Sequence, residues 1–229
     1  MITASEHLAC ACLIGAGEAP GGDGVMGRRE GFRVGPGQRA RVGEVEGDLW
    51  VGDRATVVGA GEPPAIRVSG AVLCEGDCTF EGDLEAGELR GTGGDVEVRG
   101  DLRVRGRVRV RKGSLRVAGS AEARRVEVDG ELRIRQDFRA EEVEVGSFLE
   151  VGGNGELGSV CVGGALSVQG SLKAASVEAG EFLWVGGEAD VEEVDVGGEA
   201  RLAGGRVRKL EVGGALTCSS ELAFEEVDV

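Results

Sequence analysis

The chain has 229 residues, 41% hydrophobic but only 3% aromatic, with 43 glycines and no tyrosine. That length allows one large domain, while the scarcity of aromatics argues against an ordinary α/β enzyme core and for thin layers of Val, Leu and Ala. A formal charge of −15 disfavours nucleic acid as the partner, because phosphate binding needs positive charge.

Residues 1–38 read as a flexible N-terminal tail. The segment Gly15–Gly24 has no periodicity and many chain-breaking residues. The tail's one continuous apolar stretch, Leu8 to Ile14, is far too short to span a membrane and has no preceding Lys or Arg to make a signal peptide. Leu8, Leu13 and Ile14 are the tail's candidate contacts with a membrane surface or a partner protein. The six cysteines (Cys10, Cys12, Cys74, Cys78, Cys161, Cys218) form no CxxC pair, and the sole histidine, His7, lies in the tail. No metal site is expected, and the cysteines read as reduced small apolar residues of a cytoplasmic protein.

From Arg39 onward apolar and polar residues alternate, which is the period of a strand. Residues 39–229 therefore read as one β domain. Val45, Leu49/Val51 and Ala55/Val57 make a first turn. Val58–Pro64 must leave the ladder as a loop, because its two prolines cannot donate. Ile66/Val68, Val72/Cys74, Cys78/Phe80 and Leu84/Ala86 follow at steps of six. Leu89–Gly94 fits either a corner or a weak strand. Val96/Val98, Leu102/Val104, Val108/Val110, Leu115/Val117 and Ala121/Ala123 continue at steps of 6, 6, 7 and 6.

The pattern then becomes exact. Val126, Val143, Val160, Val177 and Val194 are 17 apart; Leu210 follows after 16 and Val227 after 17. Each repeat divides into three pairs of inward residues, as in Val143/Val145, Leu149/Val151 and Gly155/Leu157, at steps of 6, 6 and 5. Residues i and i+2 share a strand face, so each turn holds three short strands. A short fixed period marks units that bury their apolar face only by stacking. The expected fold is a three-sided parallel β-helix of roughly ten to eleven turns, on the order of 50 Å long. Corner glycines are expected to supply positive φ. At Gly204–Lys209 the 17-step would turn Arg206 and Arg208 inward; a local shift that buries Val207 instead resolves this.

Two charge features stand out. Glu127, Glu144, Glu178, Asp195, Glu211 and Asp228 should stack as an outward acidic row, broken by Cys161. Arg99–Arg116 holds eight basic residues against one acid. Within it Arg103, Arg105, Arg107, Arg109 and Arg111 form a candidate docking patch. Trp50 and Trp184 are expected to face outward. The chain stops at an inward position of a new turn, so Leu222, Phe224, Val227 and Val229 are the candidate self-association surface at the C-terminal end.

Catalysis finds no support in these residues. The glycine pairs lack the Lys-Ser/Thr of a phosphate loop. Left-handed acyltransferase solenoids with six-residue steps keep a loop histidine, whereas His7 lies in the tail. No catalytic residue, cofactor or small-molecule substrate is assigned.

The V-x-V-G-G-x-L-x-V repeat, as in Val160–Val168 and Val194–Leu202, together with a tail before a β-helical core, resembles the bactofilins, a family of polymer-forming cytoskeletal proteins. The resemblance spans about residues 40–229. It implies a right-handed β-helix that polymerises end to end without nucleotide into non-polar filaments, often attached to membrane through the tail. The expected function is structural self-assembly. The alternative is a β-helical binding module that docks a different protein in a hetero-complex.

Overall fold

The computed structural model describes residues 31–228. Among these there are 24 strands and no helix, and the ladder pairings between strands are parallel. The chain winds into a three-sided β-helix of about twelve turns, so the rod is about 55 Å long. Rungs of the first side, face 1, begin at Phe32, Leu49, Val72, Leu89, Val108, Val126, Val143, Val160, Val177, Val194, Leu210 and Val227. Face 2 carries the leucine row Leu115, Leu132, Leu149, Leu166 and Leu183. Face 3 carries smaller residues, including Ala123, Ala140 and Ala174.

Two rungs extend the fold beyond the sequence expectation. The first strand is Phe32–Val34, upstream of Arg39, and it pairs with Leu49–Val51. Glu88–Thr92 is a full rung of face 1, with Leu89 fully buried between Val72 and Val108. Leu89 escapes the periodic pattern because its turn is 19 residues and its second inward position is Gly91. The expected loop is shorter than Val58–Pro64: Val58 and Gly59 stay in the ladder, paired with Glu81 and Val42, Ala60 and Ala65 close the loop with an antiparallel bridge, and this turn takes 23 residues.

The bore is a single apolar column, with no buried polar or charged residue among those described. Volumes compensate between turns. Phe138 lies between Ala121 and Gly155 in its row, so the large ring uses space that its neighbours leave. The late defect resolves as the local shift requires. Val207 is buried opposite Val191, Gly205 takes the place below Ala189, and Arg206 and Arg208 are exposed. Gly205 adopts φ +123°, and a Cβ there would meet the Ala189 carbonyl oxygen at 2.1 Å.

The other corner glycines correct the positive-φ expectation. Six of the seven left-handed glycines precede residue 94, and Gly205 is the seventh. In the regular half the constraint is clearance between turns. A Cβ on Gly163 would sit 2.3 Å from the Gly146 carbonyl oxygen, and one on Gly180 would sit 2.1 Å from that of Gly163. Side-chain acceptors complete the corners. Asp53, Asp77 and Asp95 each accept the backbone N–H one turn on, from Asp77, Asp95 and Ser114, at 2.9–3.1 Å. The second corner repeats the device: Asp137 accepts from Asn154 and Asn154 from Ser171. These bonds satisfy amides that turn away from the ladders. The Asp77 N–H holds the Asp53 carboxyl below its ordinary value.

Clearance and φ can be separated by mutation. Gly198→Ala places a Cβ 2.0 Å from the Glu181 carbonyl oxygen. It should cost about 1–3 kcal/mol by chemical denaturation. Gly37→Ala, at φ +66° with open space around it, should cost about 1 kcal/mol. Equal losses at both sites would reject clearance as the larger constraint.

Candidate functional surfaces

With the bore closed and apolar, chemistry is confined to the three outward faces and the two ends. Face 3 carries a central outward row in which sign alternates at every rung: Glu44, Arg67, Glu85, Arg103, Glu122, Arg139, Glu156, Lys173, Asp190, Arg206. Arg67 lies 3.8 Å from Glu44 and 3.6 Å from Glu85, and Arg139 lies 2.8 Å from Glu156. Opposite charges on adjacent strands each contribute about 0.2–1 kcal/mol, so the row holds register while keeping the face near neutral. Sequence reasoning missed it, although Glu122, Arg139, Glu156, Lys173 and Asp190 are 17 apart.

The same face is concave. A groove of about 630 Å³ is lined by Arg103, Arg105, Glu122, Arg139 and Glu141 among others. A second, of about 730 Å³, follows towards Lys173, Asp190 and Arg206. In the first groove Arg124 pairs with Glu141 at 3.0 Å and Arg139 with Glu156 at 2.8 Å. Among the described residues no group of three His, Cys, Asp or Glu could hold a metal ion.

Face 1 treats charge in the opposite way. Glu127, Glu144, Cys161, Glu178, Asp195, Glu211 and Asp228 stack in register as the spacing predicts. The N-terminal half of the same row reads Arg33, Trp50, Leu73, Arg90 and Arg109. Glu127 is the junction. It receives Arg109 and Arg125, each at 2.7 Å, and Arg107 at 3.7 Å. Lys209 relieves the acidic half by bridging Glu193 at 3.0 Å and Glu211 at 2.8 Å, and these contacts push its pKa up. Asp195 lies deeper in the row. Burial, then the charges of Glu211 and Glu178, hold its carboxyl above the ordinary value.

The candidate arginine patch divides. Its strand, Leu102–Arg111, runs from face 3 into face 1. Arg103 and Arg105 therefore lie on face 3, and Arg107, Arg109 and Arg111 on face 1. Arg103 pairs with Asp101 at 3.2 Å, Arg105 donates to the Ser69 carbonyl at 3.3 Å, and Arg107 and Arg109 pair with Glu127. Both tryptophans are outward and half-buried. Arg33 stacks over Trp50 at 5.9 Å. On face 2 Phe148 and Phe182 flank Ala165 in one row, beneath Arg133 and Arg201 at 5.8 and 5.5 Å, beside Trp184. Of this patch only Trp184 was singled out from the sequence; Phe148 and Phe182 escaped, because they lie outside the inward rows.

The C-terminal end differs from every turn below it. Leu222 and Phe224 continue the inner rows of face 3, and Val227 that of face 1. Leu222 and Leu216 are only partly buried, while Phe224 is 49% and Val227 39% exposed. At the other end Phe32 is 44% exposed. Among the described residues no strand pairs with the outer edge of Phe32–Val34 or of Leu222–Asp228. Val229 lies outside the described residues, as do Leu8, Leu13 and Ile14. Cys74 and Cys78 are buried, Cys161 is half-buried and Cys218 exposed, all as free thiols. Cys78 and burial push the Cys74 thiol well above its usual value, which makes it inert.

No protein-family model matches this chain, nor does any curated protein or any solved structure. No helix among the described residues is long and apolar enough to cross a membrane.

The raised pKa of Asp195 has a definite sign. Its carboxyl is easier to ionise in the unfolded chain, so its stabilising contribution is complete below the unfolded value near 4 and is lost as pH rises through the folded value. Asp195→Asn should therefore match the parent's Tm near about pH 3 and exceed it near about pH 7. Thermal melts followed by circular dichroism at both pH values test this. A variant less stable at the higher pH would show that the row is not repulsive.

Proposed function

We propose that this chain is a structural self-assembly module whose β-helical rods stack end to end, without nucleotide, into filaments. One observation carries the proposal: inner-row positions that are sealed through the interior turns are open at the C-terminal end, on a strand whose outer edge has no partner among the described residues. Covering Phe224 and Val227 would contribute about 2 kcal/mol, and strand addition would supply main-chain hydrogen bonds as well. The charged grooves fit a non-catalytic role, since none of their charged side chains is buried and Arg124 and Arg139 of the first groove are paired with Glu141 and Glu156. The free cysteines fit a reducing, cytoplasmic setting. The resemblance to bactofilins points the same way, and it extends to attachment of the tail to a membrane surface.

A second reading, docking of a different protein, draws on the half-buried aromatics Phe148, Phe182 and Trp184 on face 2. Such rings anchor protein interfaces.

Sedimentation velocity and negative-stain electron microscopy of the purified chain distinguish the two. Filaments many times the ~55 Å protomer length are expected. Phe224→Arg and Val227→Asp should each abolish them and leave the β-sheet circular dichroism intact. A monomer at tens of micromolar, indifferent to salt, would sink the proposal. A stable hetero-complex without homopolymer would select the second reading.

A further inference from the structure

We infer that the rods stack head to tail, the C-terminal turn of one copy receiving the N-terminal turn of the next, so that the filament is polar. This rests on the end-to-end reading above and adds its direction, which three observations on the two ends supply.

The first is charge. Residues 210–228, the last turn and the strand after it, contain Glu211, Glu221, Glu225, Glu226 and Asp228 and no basic residue. A two-fold contact between C-terminal ends would set this acidic rim against itself. Like charges placed across an interface cost several kcal/mol in general, and they suppress wrong pairings. The opposite end is mixed: it presents Arg33 on face 1 and Arg39 and Arg41 on face 2, with Glu44 on face 3, all exposed. Only the mixed contact brings the acidic row of face 1 to an arginine.

The second is register. Arg33 and Asp228 occupy the first and last described positions of one outward row, the central row of face 1. Phe32 and Val227 occupy the same two places in the inner row beside it. Parallel addition of a second copy thus offers Asp228 to Arg33 while covering Val227, 39% exposed, with Phe32, 44% exposed. Row identity is preserved across the joint on this face, with apolar against apolar and acid against base.

The third is strand direction. The ladder pairings within the protomer are parallel. Head-to-tail addition continues that geometry, whereas a two-fold joint would set antiparallel strands on a surface whose rows are spaced for parallel stacking. The charge on these ends therefore opposes the non-polar arrangement that the bactofilin resemblance implies.

Charge reversal at the joint tests the direction. Both side chains are exposed, so circular dichroism should report an unchanged fold. Assembly of the full chain is followed by sedimentation velocity at about 50 mM and about 0.5 M salt. The parent is read first. Its failure to assemble at either salt would overturn the end-to-end proposal itself, and the direction with it. If the parent assembles, Arg33→Asp and Asp228→Arg should each weaken association roughly fivefold or more at low salt. The double variant, which restores an opposite pair in the head-to-tail joint alone, should return towards the parent. High salt should weaken the parent. Stronger assembly of Asp228→Arg with no effect of Arg33→Asp, or strengthening of the parent by salt, would overturn the head-to-tail direction and leave end-to-end stacking standing.

Discussion

In-register parallel stacking is the constraint on which everything else in this molecule depends. Each residue sits directly above its counterpart one turn earlier, about 4.8 Å away. Whatever occupies a position must tolerate something similar immediately above and below. Valine and leucine meet that demand in the bore, where identical side chains nest into a continuous column. Glycine meets it at corners, where any Cβ would strike the carbonyl of the turn below. Asp, Asn and Ser meet it beside the glycines, each accepting a corner N–H of the following turn. The three devices are one solution: the glycine leaves the space that the preceding acceptor fills. A Cβ on Gly170, for example, would lie 2.5 Å from the Asn154 Oδ1 that holds Ser171.

Charge is harder to stack, and the faces solve it differently. Face 3 alternates sign, so every neighbour is an opposite, and long exposed side chains gain a little from each pairing. Face 1 separates sign by half. Its junction at Glu127 gathers three arginines, and its acidic half relies on Lys209 and on solvent. Separation sets like charges beside one another, and burial, then Glu211 and Glu178, raise the pKa of Asp195. It gives face 1 an electrical direction along the rod, with arginines in its N-terminal half and carboxylates in its C-terminal half.

The legibility of this fold in its sequence follows the same physics. Stacking like on like writes a period into the chain, so the rows from Val126 to Leu210 can be read directly, as can the inward turn of Val207. The signal fails where a turn changes length. Leu89 belongs to face 1, yet its 19-residue turn and its glycine partner hide it. Phe32–Val34 is hidden because it is three residues long and lies between Gly31 and Gly35-Pro36-Gly37, a run too short for alternation to reveal. The arginines of Leu102–Arg111 look like one band because alternation tells inside from outside but cannot say on which face an outward residue lies. That requires the corner positions. The inward character of Leu222, Phe224 and Val227 was legible from the period. Their exposure and the unpaired edges needed the structure.

A rod of this construction has few places left for function. Among the described residues its bore holds no buried polar or charged side chain, and its two thiols, Cys74 and Cys78, are closed off from solvent. Face 3 carries two grooves and alternates in sign, and face 1 separates its charges by half. What stacking cannot satisfy from within is its own last turn, because each strand is completed by the next. The two ends also differ in regularity. Turns of 23, 19 and 18 residues fall in the N-terminal half, whereas the C-terminal half keeps to 17 or 16. A template is more exacting the more regular it is. The C-terminal end, with its evenly spaced rows and single sign of charge, is therefore the better defined of the two surfaces and the one that would set which partner end is accepted.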